Sequence, residues 1–137
     1  MKTIFLILAA LFGAFAAFQW NDIDPEVYTN PSRADALYWL LFYALIAIGF
    51  VILYFRKLPR AYFIAAGLCC LIALGMSVSG VIENLTGDRP FTMGQESMSA
   101  EDPRVELSRE FFGALIALAA VYFQFKKNKL SQAPSQS

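Results

Sequence analysis

Four stretches of this chain are long enough and poor enough in charge to cross a bilayer: 3–20, 36–55, 61–82 and 103–125. A membrane helix needs roughly 20 apolar residues at about 1.5 Å of rise each, so the first three qualify by themselves. The fourth has an apolar run over 111–125 and needs a start upstream of it. Asp102-Pro103 supplies one, with aspartate as N-cap and proline at the first helical position, where its missing N–H is not needed. Glu106, Arg109 and Glu110 then ride on the first turns of that helix. Backbone in hydrocarbon must satisfy its own hydrogen bonds, so such runs form helices. The expected fold is all-α, a four-helix transmembrane bundle, with a membrane domain over 1–125 and a basic then disordered tail over 126–137.

Composition agrees, since 58% of the residues are hydrophobic and 16% charged, whereas an ordinary soluble domain carries about 25% charged residues. The chain has no histidine. The commonest zinc and copper ligand and the usual base at neutral pH are thereby missing, which excludes histidine-dependent catalysis. Cys69 and Cys70 are adjacent in an apolar run and read as small helix fillers, not as a disulfide framework. Zero net charge and no stacking platform give no reason to expect nucleic acid.

Charge sets a direction. Lys2, Arg56, Lys57, Arg60, Lys126, Lys127 and Lys129 fall at one end of the expected bundle, and all 11 acids fall at the other. The positive-inside rule then puts both termini in the cytoplasm, and the basic asymmetry suits a bacterial inner membrane. Trp20 and Trp39 lie near the outer ends of their helices and read as interfacial anchors. A rival reading takes Ala14-Phe15-Ala16 as a signal-peptide cleavage site, leaving three spans. Small residues mark expected packing seams: Ala9, Gly13 and Ala17; Ala73 with Ser77 and Gly75 with Ser79; Gly113, Ala117 and Ala120.

Three polar groups should meet at the outer end: Gln19, Asn21, Asp22 and Asp24; then Glu83 and Asn84; then Glu106, Arg109 and Glu110. Spacings of three and four residues put the last three on one helix face. Charges near hydrocarbon face the bundle and find partners, yet one arginine cannot neutralise so many carboxylates. The surplus can hold a proton at raised pKa or attract a cation through oxygen ligands. The structural alternative has the acids in the first turn of helix 4 stabilise its dipole while Arg109 locks helices 1 and 4 together. A third reading makes the paired carboxylates an acid and a base of a small membrane enzyme. Asp22-x-Asp24-x-Glu26 resembles a calcium loop weakly, lacking its glycine and distal glutamate. Met93 and Met98 are expected to dock the third connection. These residues name no cofactor; the expected partners are the lipid bilayer and either another membrane protein or a second copy.

The same residues carry a family resemblance. Phe18-Gln19-Trp20-Asn21-Asp22-Ile23-Asp24-Pro25 is similar to the Q-x-N-D-x-D-P signature closing the first helix of the transmembrane 220 family, and Glu106-Leu-Ser-Arg109-Glu110-Phe-Phe-Gly113 resembles its second signature. Ile23 departs from the family, which commonly has proline there, and the 28–35 connection is longer than usual. The resemblance implies a small multi-span membrane protein with a retained first helix and no assigned activity.

Overall fold

The structure is a computed structural model that describes residues 2–20, 33–86 and 103–131, the side chains of 33–35 and 103–106 excepted. It contains α1 (Lys2–Gln19), α2 (Arg33–Phe55), α3 (Arg60–Thr86) and α4 (Pro103–Leu130). Each is long and apolar enough to cross a membrane. The large residues left exposed are mostly aliphatic or aromatic on every helix, such as Ile7, Leu41, Leu71 and Ile116. That coat suits hydrocarbon and is unfavourable in water. The chain is an integral, multi-pass membrane protein built as a four-helix bundle.

Two antiparallel hairpins make up the bundle, α1 with α2 and α3 with α4, and α2 bridges them. Without a hydrophobic force between helices in lipid, close packing and hydrogen bonds must hold them. The hairpins solve this differently. Buried positions on α3 run Ala66, Cys70, Ala73, Ser77, Gly80 and Asn84, a spacing of four and three that faces Ala114, Ala117, Val121, Gln124 and Asn128 on α4. This small-residue seam has the period of left-handed helix pairs. The first hairpin instead packs on aromatic rings: Phe5 stacks on Phe50 with centroids 6.4 Å apart, and Phe12 lies 6.2 Å from Tyr43.

Three expectations need correction. Helix 1 buries Phe5, Phe12 and Ala16, whereas Ala17 is exposed and a Cβ added at Gly13 would meet nothing within 4 Å. The α1 and α2 backbones do come close, but the buried face between them carries Phe5 and Phe12 rather than Gly13 and Ala17. On α3 the Ala73 and Ser77 pair is buried, while Gly75 and Ser79 are exposed. Trp20 is exposed as an anchor should be, but Trp39 is only 2% exposed and packs against Phe42 and Tyr43, so it belongs to the core.

Helix ends also differ from the apolar runs. α3 continues past Ile82 to Thr86, carrying Glu83 and Asn84 on its last turns, and α4 continues past Phe125 to Leu130. At the far end of α4 the carboxamide of Asn128 binds both backbone groups of Leu58: Oδ1 accepts from its N–H at 2.9 Å and Nδ2 donates to its carbonyl at 3.2 Å. Pro59 favours an extended residue before it, and Asn128 completes that residue's hydrogen bonding. The 56–59 connection is thereby fixed to α4.

Candidate functional site

At the end of the bundle opposite the basic cluster, the backbones of α1 and α4 stay apart. The two helices meet through Phe5 and Phe123 near the basic end, with ring centroids 6.2 Å apart. The gap between them is a groove of about 310 Å³, lined by Phe15, Phe18 and Gln19 of α1, Tyr43 of α2, and Arg109, Phe112, Gly113 and Ile116 of α4. Its walls are mostly apolar, and the polar side chains that line it are Gln19, Tyr43 and Arg109.

Tyr43 reaches this groove because α4 has no side chain at Gly113: an added Cβ would fall on the Tyr43 hydroxyl. The glycine of the second signature thus has a steric reason. It lets a phenol from α2 lie against the α4 backbone, and the same ring packs edge-on against Phe15 at 5.6 Å. Glu110 is half-buried on α4, three residues before Gly113.

The sequence-derived candidates separate as follows. Gln19 and Arg109, 90 positions apart in the chain, line one groove. Asn84 is buried in the α3/α4 seam, where its Nδ2 donates to Ser108 Oγ at 3.0 Å and to the Gly80 carbonyl at 3.1 Å. Glu83 is exposed beside it. Glu83, Arg109 and Glu110 each have at least one interaction partner. Asn21, Asp22, Asp24 and the side chain of Glu106 lie outside the described residues, as do Met93 and Met98. Among the described residues no group of three cysteine or carboxylate side chains gathers as a metal site.

A second polar constellation was not expected. Gln124 of α4 is fully buried. Its Oε1 accepts from the Tyr62 hydroxyl of α3 at 2.6 Å, and its Nε2 donates to the Ile46 carbonyl of α2 at 3.0 Å. Gly49 leaves the space: a Cβ there would fall on the Tyr62 hydroxyl and 2.9 Å from Gln124 Nε2. One carboxamide therefore ties three helices. A signal was present in the sequence, since Ala117, Val121, Gln124 and Asn128 continue the period of the buried α4 seam.

A family model described as transmembrane family 220, helix, matches residues 11–126. No curated protein and no solved structure matches the chain.

Proposed function

The chain belongs to transmembrane family 220, and from that premise we propose that it is a non-enzymatic membrane protein whose α1/α4 groove receives a small polar ligand. The observation that carries this is the groove itself, which unites the start of the first signature with the second across Gln19 and Arg109. Its volume of about 310 Å³ is at the low end of ligand sites, which run from about 300 to 1,000 Å³. A guanidinium on the wall repels a bare cation and favours a ligand with an acceptor group. Asp22 and Asp24 follow Gln19 closely in sequence and Glu106 precedes Arg109 by three residues, so these acids are proposed as partners for a donor or cationic part of the same ligand. By the positive-inside rule the groove opens away from the cytoplasm and both termini lie within it.

In the structural alternative Arg109 pairs with the acids only to lock α1 to α4, a polar tie of the kind that Asn84 and Ser108 already make between α3 and α4 at the same end. Thermal unfolding of purified protein against glycerol phosphate, phosphocholine, acetate and calcium separates the two readings. The ligand reading expects at least one of glycerol phosphate, phosphocholine and acetate, and not calcium alone, to stabilise the wild type and to have no effect on folded Arg109→Gln or Asp22→Asn protein. Failure of every probe, or loss of folding in both variants, favours the structural role.

A further inference from the structure

We propose that the basic end of the bundle holds one anionic phospholipid by its headgroup, in the groove between α3 and α4. This groove measures about 580 Å³ and is lined by Leu58, Arg60, Phe63, Ile64, Phe125, Asn128 and Lys129. It is a different surface from the α1/α4 groove and stands on different observations.

The first is charge. Arg60 and Lys129 flank the groove, and the sequence has no aspartate or glutamate anywhere in 36–82 or from 111 onward. No side-chain carboxylate from these stretches neutralises the two cations. The second is position. Arg60 opens α3 and Lys129 stands next to the last residue of α4, so both lie at the ends of spanning helices, at the depth where phosphates of the bilayer lie. Directly inward the walls become apolar, with Phe63 edge-on to Phe125 at 5.4 Å and Ile64 exposed beside them. Cations at the rim above hydrocarbon walls match a phosphate ester with its acyl chains, and basic recesses between membrane helices bind such headgroups.

The third is rigidity. Leu58 is held through both backbone groups by Asn128, and Tyr62 is held by Gln124 just inside. The two helix ends therefore keep their spacing before a lipid arrives, which lowers the ordering penalty of binding.

Native mass spectrometry of the full chain in detergent tests this with phosphatidylglycerol, phosphatidylcholine and inorganic phosphate as probes. A basic residue near a membrane surface contributes about 1 kcal/mol, a factor of about five. Wild type should retain phosphatidylglycerol over phosphatidylcholine, and Arg60→Gln with Lys129→Gln should lower that retention roughly 25-fold. Arg56→Gln with Lys57→Gln removes the same charge from the same end without touching the groove and should leave retention within about twofold. Equal losses in the two double variants would overturn the site in favour of diffuse attraction. Displacement of the lipid by inorganic phosphate would overturn it in favour of a free anion, and equal retention of the two lipids would remove charge recognition. Should the first double variant fail to fold, Ile64→Trp decides: it fills the groove with no change of charge, and undiminished preference for phosphatidylglycerol would overturn the proposal.

Discussion

Replacing Gln124 with leucine removes the three-helix junction while nearly conserving volume, so the expected loss comes from hydrogen bonds and not from a cavity. Two bonds disappear, the 2.6 Å bond from Tyr62 and the 3.0 Å bond to Ile46. Between membrane helices such bonds average about 0.6 kcal/mol and reach about 1.7, giving roughly 1–3 kcal/mol for the pair. The Ile46 carbonyl lies inside α2 and keeps its place in the helical ladder, so most of the loss belongs to the Tyr62 hydroxyl, stranded in a half-buried position. Tyr62→Phe alone should cost about 1 kcal/mol, and the double variant no more than Gln124→Leu, because the phenol has no partner left to lose. The coupling is therefore about 1 kcal/mol. Reversible unfolding in mixed micelles with increasing dodecyl sulfate, followed by helical circular dichroism, measures all four proteins. Additive single effects, with a coupling below about 0.3 kcal/mol, would refute the junction.

Gly49→Ala should be worse than either single change: its Cβ falls on the Tyr62 hydroxyl, so overpacking of about 1–3 kcal/mol adds to the broken bond and lowers the micelle unfolding midpoint further. Asn128→Ala strands both backbone groups of buried Leu58 and is expected to cost about 2–4 kcal/mol, and Asn128→Asp, which keeps the acceptor but turns a carboxylate oxygen toward the Leu58 carbonyl, should recover little of that, measured the same way. Proteolysis of the 56–59 connection should quicken in both variants. Trp39 has a buried Nε1 without a hydrogen-bond partner among the described residues; Trp39→Phe removes that donor, and its midpoint should stay within about 1 kcal/mol of wild type despite the smaller ring.

The spans were legible because hydrocarbon imposes one requirement on every residue of a segment, and uncharged length alone reveals it. The charge asymmetry and the proline at the start of α4 were legible for similar reasons, being local and strong. Packing was read less well. The Ala9, Gly13 and Ala17 spacing is common in any alanine-rich membrane helix, and nothing in α1 alone says that Phe5 and Phe12 will meet Phe50 and Tyr43. Trp39 carried the composition of an anchor, and its burial follows from the neighbours that α2 acquires as the bridge between hairpins.

At the candidate site, both signatures pointed to residues that share a groove, but the groove was invisible, because it exists through what α1 and α4 do not do. They stay apart above Phe5 and Phe123 while Tyr43 fills in from α2 through the space at Gly113. Gln124 and Asn128 escaped notice for the opposite reason. A carboxamide in an apolar run and another in a lysine-rich end look like incidental polarity until the partners appear, one on α3, one on α2 and one in the 56–59 connection.

The most direct test of the proposed function is a crystal structure grown from a lipid phase at neutral pH, read between α1 and α4 at the end bearing Gln19 and Arg109. The account predicts an open groove with a non-protein group whose polar head lies within hydrogen-bond distance of both side chains. Direct packing of α1 on α4, with Arg109 satisfied entirely by the chain's own carboxylates, would contradict it.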